Sequence, residues 1–137
     1  MQLIGFNFTK IAANVLPKPK DTKERKIDTN IEFTNIETEK MSVISSDVLK
    51  ISFRFDITYE PKIAAINFEG LMYFRATPEE IKEATEGWKK KKIDENMKIP
   101  IFNVILGKCS LKALQLEEDL GLPPHLPYPR LTRNPQK

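Results

Sequence analysis

A chain of 137 residues carries one ordinary domain and is too short for two. With 40% apolar and 30% charged residues it can bury a core, which excludes fibrous and generally disordered chains. A net charge of +3 is too small to demand a nucleic-acid or membrane partner.

The single cysteine, Cys109, rules out an intrachain disulfide, and the N-terminus lacks the basic-then-apolar order of a signal peptide. No uninterrupted apolar run reaches the roughly 18 residues of a membrane span, so no transmembrane helix is expected. A cytoplasmic home follows from these features. Among charged residues lysine and glutamate dominate, a bias that resembles thermophile proteomes.

In chain order, Ile4, Phe6 and Phe8 alternate, and the apolar phase then shifts to Ile11, Ala13 and Val15, as a bulged first strand would produce. Pro17 to Lys26 has no apolar residue after Pro19 and reads as a solvated loop. Ile27, Thr29, Ile31 and Phe33 alternate against Asp28, Asn30, Glu32 and Thr34, a second strand. The alternation is complete from Leu49 to Tyr59, with Leu49, Ile51, Phe53, Phe55, Ile57 and Tyr59 on one side. Lys50, Ser52, Arg54, Asp56 and Thr58 take the other side, a mixed wet face. Glu60-Pro61-Lys62 is a turn. The return strand alternates on Ala64, Ile66, Phe68, Gly70, Met72 and Phe74, while Leu71 and Tyr73 on the opposite face predict some cover there.

Helices follow. Thr77-Pro78-Glu79-Glu80 combines an N-cap, proline at the first helical position and a capping-box glutamate. Ile81, Ala84 and Trp88 continue at helical spacing, which predicts a short amphipathic helix over 78–90. Lys89 to Asn96 reads as a polar connection. Pro100 is expected to open a long helix that Gly121 closes. Its apolar residues cover most of its circumference, so one sheet cannot bury it; the rest needs another helix or another subunit, and assembly into an oligomer is expected. Leu122 to Leu131 is proline-punctuated and predicts an extended segment held to the body by Leu122, Leu126, Tyr128 and Leu131, with residues 132–137 frayed.

Catalytic, cofactor and metal groups are not expected. His125 is the only histidine, lies between prolines and has no cysteine or carboxylate at ligand spacing. Cys109 reads as a packed core thiol, and Glu117-Glu118-Asp119 as a solvated helix end. The basic clusters at 18–26 and 89–92 lack interleaved aromatics, so nucleic-acid binding through them ranks last among the readings.

Four strands, a helix with Ile99-Pro100-Ile101-Phe102 at its start, then Gly121-Leu122-Pro123 and a further proline at 129 resemble SecB, the bacterial export chaperone. SecB has Cys-Pro at the helix start, then Gly-Phe-Pro and another proline at similar spacing. The resemblance implies an α+β fold over 1–137: a four-stranded antiparallel sheet (2–15, 27–38, 43–59, 62–75) with a short and a long helix packed on one face. It implies an ATP-independent holdase for unfolded or extended polypeptide, assembled as a dimer or tetramer with long helices sandwiched between sheets. Carried over by position, Ile101, Phe102, Ile105 and Cys109 would be oligomer interface. Phe33, Leu122, Leu126 and Tyr128 would edge the client groove. SecB also has a second helix after the proline segment, for which this chain has too few residues. It has no clear counterpart of the 78–90 helix, and it docks a motor through acidic residues that the mixed wet face here does not supply. The alternative reading is an oligomeric scaffold subunit without a client groove.

Overall fold

The computed structural model describes residues 1–15, 26–41, 46–60 and 63–126. Strands β1 (Gln2–Val15), β2 (Lys26–Met41), β3 (Ser46–Glu60) and β4 (Ala64–Arg75) precede helices α1 (Pro78–Lys89) and α2 (Glu95–Leu120). The strands form one antiparallel sheet in the order β1-β4-β3-β2, so β1 and β2 are its edges. The Pro17–Arg25 part of the expected loop, the Pro61–Lys62 turn, Tyr128 and the frayed tail lie outside the described residues.

The β3–β4 pair forms as its alternation predicts. Leu49, Ile51, Phe53, Phe55, Ile57 and Tyr59 are buried beneath α2, as are Ala64, Ile66, Phe68, Met72 and Phe74. Gly70 lies directly across from Phe53, and a Cβ there would stand 2.6 Å from the Phe53 ring and 2.7 Å from the Asn7 carbonyl. Only glycine lets that ring and the β1 backbone close over β4. On the opposite face Lys50 reaches Glu37 and Glu39, Arg54 pairs with Glu32 and Asp56, and Lys10 pairs with Glu69. Such exposed pairs each contribute at most about 1 kcal/mol. Leu71 and Tyr73 are half-buried on this face, Tyr73 lying across the backbone at Gly5.

Two local expectations change. Besides the shift at Thr9, β1 has a register shift at Ile4, which brings Leu3 opposite Phe74 and leaves Ile4 exposed. The helix expected to open at Pro100 opens at Glu95 instead. Asp94 is its extended N-cap residue, and its carbonyl takes the Met97 and Lys98 N–H groups. Pro100 lies in the second turn. The carbonyl its missing N–H would have served belongs to exposed Asn96, where water can reach it. Met97 anchors this added turn in the core.

α1 keeps its capping box: the Thr77 N–H donates to Glu80 Oε1 at 2.9 Å and the Glu80 N–H to Thr77 Oγ1 at 3.2 Å. That backbone bond holds the Glu80 carboxyl below its usual range. α2 lies on the sheet with Met97, Ile101, Ile105, Cys109, Ala113 and Glu117, every fourth residue, facing inward. By length and mean hydropathy α2 could cross a bilayer, which the absence of an uninterrupted apolar run did not predict. Here its inward stripe packs on the sheet as a core helix does.

Candidate functional site

The inward stripe places three residues assigned to an oligomer interface inside the subunit. Ile101, Ile105 and Cys109 are fully buried against the sheet, and burial pushes the Cys109 thiol up to about 12, which keeps it protonated. The outward row of α2 is Ile99, Asn103, Gly107, Leu111 and Gln115. Ile99 is 55% and Leu111 69% exposed, and nothing stands within 4 Å of a Cβ built on Gly107.

Phe102, the fourth interface residue, lies on the flank of α2 that faces β2. Its ring meets Phe33 edge-on at 4.9 Å, a contact of about 0.5–1.5 kcal/mol beyond area burial. Lys98, one turn earlier, sits 5.2 Å over the same ring. Together with Ile31, Trp88 and Ile93 these rings line an open cleft of about 180 Å³, rimmed by Lys91 and Lys98. Glu32 also borders it, with its carboxylate paired to Arg54.

The α1–α2 connection builds the cleft's outer wall. The Lys91 N–H donates to the Trp88 carbonyl at 3.0 Å and the Lys92 N–H to the Gly87 carbonyl at 2.8 Å. This is the paired-bond ending in which the residue after the cap is left-handed, a place ordinarily held by glycine. Lysine holds it here, at φ 54°. A side chain in that conformation costs roughly 1 kcal/mol.

The same flank continues along Phe102, Leu106, Ser110 and Leu114, and at Ser110 it meets the segment after α2. Gly121, at φ 68°, turns the chain, and the Leu122 N–H donates to the Glu117 carbonyl at 2.8 Å. The chain then folds back so that His125 Nδ1 lies 3.0 Å from Glu117 Oε1 and Nε2 lies 3.2 Å from Ser110 Oγ. The His125 N–H donates to Glu117 Oε2 at 3.1 Å. The Tyr59 hydroxyl lies within bonding reach of that carboxylate and of the Pro123 carbonyl. The Glu117 and His125 side chains are 0% and 2% exposed. The acidic run expected to be solvated is so only at Glu118 and Asp119; Glu117 belongs to the inward stripe.

Hydroxyl, imidazole and carboxylate in this order match the parts of an acyl-transfer triad. Ser110 is buried in the middle of α2, however, where neighbouring N–H groups are committed to the helix and cannot form an oxyanion hole. The cluster works as a knot: each polar group satisfies another in a dry setting. Among the described residues no buried side-chain polar atom lacks a partner, and no three His, Cys, Asp or Glu side chains come together as metal ligands.

Of the residues assigned to a groove, Phe33 lines the cleft and Leu122 packs on the core. Leu126 is exposed beyond His125, and Tyr128 lies outside the described residues. His125 stands 6.3 Å edge-on from Phe55, whose cross-strand partner Ile31 lines the cleft. Cleft and knot therefore share the β2-facing flank of α2. Trp88, Ile93, Lys91 and Lys98 were missed from the sequence. Trp88 at the end of an amphipathic helix, followed by a lysine run, was the available signal.

One solved structure, the SecB-like chaperone Rv1957 of Mycobacterium tuberculosis in complex with a ChAD peptide from the Rv1956 HigA1 antitoxin, superposes at a TM-score of 0.53. It covers 97% of this chain and 91% of its own. The fold is SecB-like. At 20% identity the likeness shows the SecB-like architecture and not the chemistry of its surface. No protein-family model and no curated protein sequence matches.

Proposed function

We propose that this protein is a non-enzymatic, chaperone-like or peptide-binding protein of the cytoplasm that holds extended apolar segments of other chains. The observation that carries this reading is the open aromatic cleft of Phe33, Trp88 and Phe102 beside edge strand β2. An extended segment lying along this edge would insert an apolar side chain among the rings, while its backbone stays solvated or pairs with the strand. The peptide named with the Rv1957 structure supports polypeptide as the ligand class.

Trp88 is the only tryptophan, so its fluorescence reports on the cleft directly. Tryptophan-free apolar peptides should shift its emission saturably, and the full chain at stoichiometric amounts should suppress aggregation of a denatured client. If neither occurs, the reading fails.

A second reading, assembly, is favoured by the outward row of Ile99 and Leu111 flanking an open Gly107. Small residues in such rows let helices approach closely, and a second copy would cover what the sheet leaves bare. Light scattering should give at least a dimer at micromolar concentration, and Leu111→Glu should give a monomer that keeps the cleft. A monomeric parent chain would sink this reading.

A further inference from the structure

We infer that the cleft selects its polypeptide by charge: the segment it takes is an apolar or aromatic side chain flanked by aspartate or glutamate. This rests on the peptide-binding reading above and adds the ligand's chemistry to it.

The rim decides the sign. Lys91 and Lys98 border the aromatic floor, and among the described residues neither has a carboxylate partner. The only acidic residue of the lining, Glu32, is already engaged by Arg54. Lys89, Lys90 and Lys92 are exposed beside Lys91 and add to the local positive potential. An apolar side chain seated between Trp88 and Phe102 would place its chain neighbours at this rim, within reach of both ammonium groups.

Two features separate this arrangement from an ordinary solvated lysine run. Lys98, though exposed, stands with its ammonium over the Phe102 ring, so a cation lies on the aromatic wall. Lys91 occupies the left-handed position where glycine would cost the helix ending less. Residues that break a local rule without a folding benefit mark sites kept for another reason.

The experiment compares three labelled peptides with one Leu-Phe-Leu core and flanks of glutamate, serine or lysine, binding to the full chain. Anisotropy and Trp88 emission are both read. Exchanging attractive for repulsive pairs at two partly screened lysines should separate the glutamate from the lysine peptide by about tenfold in Kd. The gap should close at about 1 M salt, where the screening length falls to about 3 Å. Lys91→Gln with Lys98→Gln should bring the three affinities together.

Equal affinities for all three peptides, each shifting Trp88, would overturn the charge inference and leave the peptide-binding reading standing. A preference that survives in the double variant would also overturn it. Absence of binding by every peptide would remove both.

Discussion

The two ends of α2 treat polar groups in opposite ways. At the C-terminal end a carboxylate, an imidazole, two hydroxyls and a carbonyl are gathered where water is excluded, and each satisfies another. At the N-terminal end two ammonium groups stand at the rim of an apolar cleft, and among the described residues neither is paired to a carboxylate. A dry site tolerates polar groups only as a closed set, so that end is rigid and sealed. A wet rim leaves its charges available, so the other end can take a ligand.

Breaking the sealed end should have the largest effect. Glu117→Ala removes the acceptor shared by the Tyr59 hydroxyl, the His125 backbone N–H and the His125 ring, and should cost about 3–5 kcal/mol in urea denaturation. Glu117→Gln, which keeps one acceptor oxygen, should cost about 1–3 kcal/mol. A cost below about 1 kcal/mol for the alanine variant would mean that the knot is open to water. At the other end, Phe102→Ala removes a half-buried ring and should cost about 2 kcal/mol, less than a fully buried phenylalanine. It should also abolish the Trp88 response to peptide. If binding survives, the cleft is not the site.

Lys91→Gly sharpens the contrast, because stability and binding should move in opposite directions. Relief of the left-handed lysine should stabilise the fold by about 1 kcal/mol in the same denaturation assay, while affinity for glutamate-flanked peptides falls. Between the two ends lies Cys109, whose buried, protonated thiol should alkylate at pH 8 no faster than the protein unfolds. Faster labelling would show that α2 lifts from the sheet locally. The smallest effect concerns the capping box at the start of α1. Because Glu80 is shifted below its ordinary 4.5, its contribution is fully present above that value and is lost as pH falls through the lower, folded value. Thermal melts of the Glu80→Gln variant should lack that acid-side loss.

Residues that repeat are legible in the sequence alone. The alternation from Leu49 to Tyr59 and from Ala64 to Phe74 is enough for the central pair, and Thr77-Pro78-Glu79-Glu80 for the start of α1, because these signals depend on near neighbours. Pro100 misleads for a local reason: proline suits a helix start, but exposed Asn96 lets the helix carry it in its second turn. Glu117 misleads for a tertiary one. It continues the four-residue stripe of Ile101, Ile105, Cys109 and Ala113, yet the Tyr59 hydroxyl and the return of His125 eight residues later make a buried carboxylate tolerable. The cleft is half legible, since Phe33 is named from its strand, while Trp88 and Lys98 reach it only through the packing of α1 and α2 beside β2.

By itself, the order of residues determined the four strands, the inward faces of β3 and β4, the presence of both helices and an excess of apolar surface on α2. Periodicity is a property of the chain, and a buried face must repeat at the pitch of its element. Only the tertiary structure decided which side of α2 the sheet takes, which carboxylate is buried and which lysines meet the aromatic rings. Those outcomes depend on contacts between residues far apart in the chain, whose energies no local pattern encodes.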